Sequence, residues 1–308
     1  MAVQKAFKGV HQIVHNSVQY RGIVSQNFVT GTQIQALQGG GGLDPSNIIT
    51  TKVDSSYTFG STDLKLLLDV CGLLPIAITG TASDTLKFYC RELTDGGTLT
   101  GSTTDLVGTI NKATMYLKSI TANLDGPAIA EYEVIPTFDG TNTPIVYTQA
   151  AAVALTRDAI SWGLGTVKIN SVDIPIQSFT YEPGFTVEKM GAGSGLVYNT
   201  ECFTTSRNPK ITLGLKNILH ILPAGLSPAI GANAPGTAVI FLRKFTMGGG
   251  FVANATAEHI SFSFANSQIT TQGSGGSGQS IADFNLVITP VYDASTAMTV
   301  MNTAVAIT

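Results

Sequence analysis

At 308 residues and 44% apolar composition, the chain is long enough to bury two ordinary cores, each near the usual domain size. Only 12% of residues are charged, roughly half the usual share. Mean hydropathy is positive, yet the most apolar run, Leu64 to Ile78, contains Lys65, Asp69 and Pro75 and is too short for a bilayer. A net charge of −3 with no basic run excludes tight binding of nucleic acid, which needs clustered Lys and Arg against phosphates.

The N-terminal stretch Met1 to Ser17 has no apolar core long enough for a signal peptide. A reducing compartment is therefore expected, with Cys71, Cys90 and Cys202 unpaired and the first two acting as small core hydrophobes. His11-Gln12-Ile13-Val14-His15 has zinc-protease spacing, but Gln12 stands where the glutamate base is required, and the segment reads as extended. Phe28 to Leu43 reads as an arm tipped by Gly39-Gly40-Gly41-Gly42. Those glycines are followed by Leu43-Asp44-Pro45, not the Lys-Ser/Thr of a phosphate cradle. Ser61-Thr62 caps a predicted helix in which Leu64, Leu67, Leu68 and Cys71 share one face, with Gly72 and Pro75 as stops. Tyr132 to Phe138 reads as a strand. Glu131 and Glu133 share a strand face there, with no His, Lys or Arg adjacent in sequence to tune them for acid–base work.

The second half repeats this order. Asn170-Ser171-Val172 stands half a chain length after Asn16-Ser17-Val18, and Ala192-Gly193-Ser194-Gly195-Leu196 answers the first glycine run. That segment lacks the third glycine of a dinucleotide fingerprint, and Ser194 lacks the spacing of a nucleophile elbow. Val167 to Ile176 reads as a strand. Asn208 and Pro209 open a second predicted helix with Leu215, Ile218, Leu219 and Leu222 as its stripe. On this alignment Val70 to Pro75 faces Ile218 to Pro223, and Asp283 faces Glu131. His220 and His259 have no neighbour that points to catalysis, and His259 opens an alternating strand through Phe264. The loop Gln272 to Gln279 is longer than its counterpart Asn123 to Pro127, as expected if the copies meet different neighbours. Ile281 to Val291 then reads as a closing strand. The expected architecture is mainly β: two tandem β-sandwich or barrel domains, residues 1–154 and 155–308, each flanked by one short α-helix.

Each half resembles the tail tube fold of tailed bacteriophages. The resemblance is carried by the arm (Phe28 to Leu43; Tyr181 to Leu196), the strand entering a capped helix (Tyr57 to Pro75; Phe203 to Pro223) and the closing pair of strands (Tyr116 to Phe138; Ile260 to Tyr292). These are architectural features spanning nearly all the chain, without a diagnostic motif. The resemblance implies hexameric rings that stack, an inner β-barrel around a DNA channel, and arms bridging neighbours. It also implies a place in the virion tail after assembly in the host cytoplasm, with tape-measure and tail-terminator proteins as partners. DNA would be non-specific cargo, and no membrane, cofactor, metal or catalytic residue is expected. Most such subunits carry one domain. Three copies of a doubled chain would supply the six domains of a ring in pseudo-sixfold order. The alternative is a double jelly-roll capsid protein, which also makes pseudo-hexameric trimers; the mid-half helix and open glycine arm favour the tube. A glycan-binding β protein predicts exposed aromatic clusters, whereas the single Trp162 lies near the junction of the halves. An enzyme is the least supported class.

Overall fold

Strands dominate because apolar and polar residues alternate. In Lys112–Asn123, Ala113, Met115 and Leu117 are buried while Lys112, Thr114 and Tyr116 face outward, the period of a sheet with one covered face. The computed structural model describes residues 7–37, 47–81, 84–93, 103–154, 160–191, 197–246, 249–273, 283–292 and 299–307. Both glycine-rich tips and most of the Gln272 to Gln279 loop lie outside these residues.

The first half runs β1 (Phe7–His15), β2 (Val18–Tyr20), β3 (Ile23–Val29), β4 (Thr32–Leu37), β5 (Asn47–Val53), β6 (Ser56–Ser61), α1 (Leu64–Cys71), β7 (Ile76–Ile78), β8 (Leu86–Glu92), β9 (Thr104–Ile110), β10 (Lys112–Asn123), β11 (Ile129–Thr137) and β12 (Val146–Ala151). One sheet has the order β12-β9-β8-β1-β2; the other contains β10-β11-β6-β3, with β7 beside β10. Tyr57 of β6 stacks on Phe88 of β8 at 4.9 Å, joining the two layers, and α1 buries Leu64, Leu67, Leu68 and Cys71 as its spacing predicts. Asp63, not Ser61 or Thr62, holds the N-cap position; the Ser61 hydroxyl accepts its N–H at 3.0 Å.

The second half runs β13 (Trp162–Ile169), β14 (Val172–Ile174), β15 (Ser178–Glu182), β16 (Phe185–Gly191), β17 (Asn199–Arg207), β18 (Lys210–Leu215), a 3-10 helix (Ile218–Ala224), β19 (Asn233–Lys244), β20 (His259–Gly273), β21 (Phe284–Pro290) and β22 (Val300–Val305). Its pairings follow those of the first half. β1 with β2, β8 and onward to β9 and β12 is answered by β13 with β14, β19 and onward to β20 and β22. β10-β11-β6-β3 is answered by β20-β21-β18-β15, and the β4–β5 hairpin by β16–β17.

Local geometry recurs as well. Asn16 and Ser17 have φ of 53° and 65°, Asn170 and Ser171 of 48° and 67°, the positive φ at both central residues that a type I′ hairpin turn needs. Gly31 and Gly184 also have positive φ, and a Cβ would stand 2.1 Å from the Asp54 carbonyl oxygen and 2.0 Å from that of Asn208.

Four sequence expectations differ from the structure. The second helix does not begin at Asn208. Ile211, Leu213 and Leu215 are buried and alternate with Lys210, Thr212 and Gly214, so this stretch is β18, filling the sheet between β15 and β21. The helix starts after Asn217, whose side chain accepts the Leu219 N–H at 2.9 Å, and is a 3-10 turn that buries Ile221 and Ala224 and exposes Leu219 and Leu222. Val167 to Ile176 is not one strand, because the Asn170-Ser171 turn folds it into the β13–β14 hairpin. Of the two stops expected for the first helix, Gly72 holds the C-cap with positive φ; its match in the second half is Gly225, and Pro223 lies inside the 3-10 helix. The strand registers place Asn285, not Asp283, opposite Gly214 as Glu131 is opposite Gly60.

Candidate assembly interface

The halves meet through the sheet itself. At the C-terminal end of β10, Ile120, Thr121, Ala122 and Asn123 pair with Tyr181, Thr180, Phe179 and Ser178 of β15, making one continuous antiparallel sheet. Ile120, Ala122, Phe179 and Tyr181 are buried in the core, whereas Thr121 and Thr180 face outward. The first-half counterpart of β15 is β3, which pairs with β6 and ends the sheet. Val24, Phe28 and Val29 of β3 are exposed, an apolar edge of the kind that invites strand addition.

A second contact comes from the β16–β17 hairpin, which lies on the first half. Its Lys189 ammonium donates to Asp54 Oδ1 at 2.6 Å, and Asn199 Nδ2 donates to the same oxygen at 2.9 Å. Backbone bonds add to these: Val53 N–H to Val197 O at 2.7 Å and Phe138 N–H to Asn199 O at 2.8 Å. Tyr198 stacks on Phe138 at 5.8 Å, Phe185 meets Tyr116 edge-on at 6.0 Å, and Lys112 reaches the Thr200 carbonyl at 2.9 Å. Burial alone would raise the Asp54 carboxyl. The hydrogen bond and charge of Lys189, with Lys52 and Asn199, instead hold it below the ordinary carboxylate value.

The chemistry-bearing residues are placed differently. His15 is buried on β1, its Nδ1 at 3.2 Å from the Tyr20 hydroxyl and its Nε2 at 3.2 Å from Asp84; the Tyr20 hydroxyl in turn lies 3.4 Å from Cys71 Sγ. This Asp–His–Tyr–Cys chain is not visible in the sequence, because its members lie on β1, β2, α1 and the loop before β8. His15, Tyr20 and Cys71 are buried, and Asp84 is half-buried at the outer end of that chain. Burial pushes the Cys71 thiol up to about 11, against the bond from Tyr20, so it does not supply a thiolate nucleophile. His11 has no hydrogen-bond partner for either ring nitrogen among the described residues, and burial pushes it down toward the neutral form. Gln12 is buried. No group of three His, Cys, Asp or Glu side chains among the described residues could hold a metal.

His259 Nδ1 accepts the Lys244 N–H at 3.2 Å and its Nε2 lies 3.0 Å from the Ala253 carbonyl, a structural tie. His220 is exposed on the 3-10 helix, and Glu131 pairs with Lys118 at 3.2 Å on the outward face of the sheet. Trp162 is buried and donates to the Glu258 carbonyl at 3.4 Å. The three cysteines are free. Ser194 lies outside the described residues. No helix among the described residues is long and apolar enough to cross a membrane. The chain matches no protein-family model and no curated protein.

Proposed function

We propose that the chain is an internally duplicated structural protein of a phage tail, three copies closing a pseudo-hexameric ring and the rings stacking into a hollow tube for DNA. The observation that carries this reading is the β10–β15 pairing, which joins two units of matching topology head to tail in one sheet. A head-to-tail contact leaves one unsatisfied edge at each end, and repetition closes a ring when the rotation per unit divides the circle. β3 is such an edge; along β20, Ser267 to Thr270 are already paired with β19 on one side and β21 on the other, and the register counterpart of Ile120 is Gly273, the last described residue of that strand.

The outward face of the sheet supports passage of a polyanion. Thr121, Thr180 and Thr212 run across the junction in register. Around them Glu182 stands opposite Lys210 and Glu131 pairs with Lys118, so charges of opposite sign are interspersed. A wall of this kind offers phosphates no cluster of cations.

Electron microscopy of the purified protein tests the reading. Stacked rings with a central channel are expected. Flat trimers or closed shells would remove it in favour of a double jelly-roll capsid.

A further inference from the structure

The contact between the halves is a template for a contact between chains. β15 and the β16–β17 hairpin both touch the first half, one along the edge of β10 and the other over the end of β11. Their counterparts are β3 and the β4–β5 hairpin. The two hairpins carry a bulge at the same place, Gln33/Ile34 and Thr186/Val187, so their registers match: Ile34 occupies the place of Val187, and Ala36 that of Lys189. β4–β5 is exposed from Gln33 to Ala36 and from Ile48 to Thr51, and Ile34 and Ile48 are each 65% exposed.

The receiving face also has a counterpart. Matched registers of β11 and β21 place Val291 where Thr137 stands and Tyr292 where Phe138 stands. Thr137, beneath the docked hairpin, is 3% exposed. Val291 is 44% and Tyr292 72% exposed, beside a groove of about 420 Å³ lined by Asn266, Ser267, Gln268 and Val291.

We propose that the β4–β5 hairpin of one copy docks on the Val291–Tyr292 face of a second copy of this chain, in the pose that β16–β17 takes on Thr137–Phe138. The residue exchanges agree with that pairing. Asp54 and Asn208 are equivalent, each donating its backbone N–H to the matching glycine carbonyl, Gly31 at 3.2 Å and Gly184 at 2.9 Å. Both members of the Lys189–Asp54 pair are therefore replaced together, by Ala36 and Asn208, and neither charge is stranded at the new junction. Apolar surface grows in exchange, with Ile34 for Val187 and Val291 for Thr137. A contact between untethered chains must offset the freedom lost on association, which a contact within one chain does not. Both the β3 edge and the hairpin then address the same neighbour.

The inference rests on the ring reading for the identity of that neighbour, and photocrosslinking separates the two. A benzophenone amino acid is placed at position 292 of the full chain and irradiated under assembly conditions. The expected product is a covalent dimer whose crosslinked peptide falls within residues 32–53. The Ile34→Asp variant is expected to weaken self-association ~10-fold or more, the scale of an interface anchor, with the melting temperature of the dissociated chain unchanged. Assembled rings whose position 292 crosslinks elsewhere overturn the hairpin contact and leave the ring reading standing. Crosslinks to 32–53 in dimers that never close uphold the contact and remove the ring. A chain that stays monomeric at all concentrations overturns both.

Discussion

Asp105 is fully buried and accepts from Arg91 Nε at 2.6 Å and from the Val153 backbone N–H at 2.8 Å, while Arg91 returns a bond to the Val153 carbonyl. These bonds tie the segment after β12 back onto the sheet. Asp105→Ala would leave a buried guanidinium without its counterion, so a loss of about 3–5 kcal/mol is expected in urea denaturation. Gly31 and Gly184 provide a matched pair of tests. Alanine at either would meet a carbonyl oxygen at close to 2 Å in a left-handed conformation. Each substitution is expected to cost more than ~1 kcal/mol, by the same assay and by similar amounts at the two sites. Such residues differ in legibility. The glycines stand near the start of the arm in both halves and match by position, whereas Asp54 gives no signal, because Lys189 and Asn199 come from another part of the chain.

At the scale of elements, the β16–β17 hairpin is held partly by a titratable contact. The folded Asp54 carboxyl lies below its ordinary value of 3.8, so its contribution is complete above that value and is lost as pH falls through the lower folded one. The Tyr198 ring resonances, shifted by Phe138, are therefore expected to move toward free-tyrosine positions in acid below pH 3.8, as followed by NMR. In Asp54→Asn that acid step should be absent. Elements also show where periodicity misleads. α1 was readable because four apolar residues at helical spacing sit between local start and stop signals. Lys210–Leu215 reads as helix because Asn208 and Pro209 look like start signals and Leu215 falls in a helical stripe with Ile218, Leu219 and Leu222, while Ile211, Leu213 and Leu215 alternate as a strand. Its place between two strands decided the matter.

For the whole molecule, the exposed edge of β3 is the feature most open to test. Val24 and Phe28 are exposed in the single chain, so Val24→Lys/Phe28→Lys is expected to cost no more than ~1 kcal/mol of its stability. Charge along an unpaired edge blocks strand addition. Sedimentation should therefore show the variant dissociated at concentrations where the parent chain assembles; an unchanged distribution would remove β3 from the interface.

Residue order by itself determined the β class, the recurrence of turns and arms half a chain apart, the first helix and the shortage of charge. These depend on alternation, on positive-φ turn residues and on composition, all of which act over a few positions. Only the tertiary structure decided that the halves share a sheet through β10 and β15, that the second hairpin rests on the first half, and that β3 and Tyr292 are exposed among the described residues. An edge pairing or a docked arm is made by residues far apart in the chain, and no local periodicity records which partner each will meet.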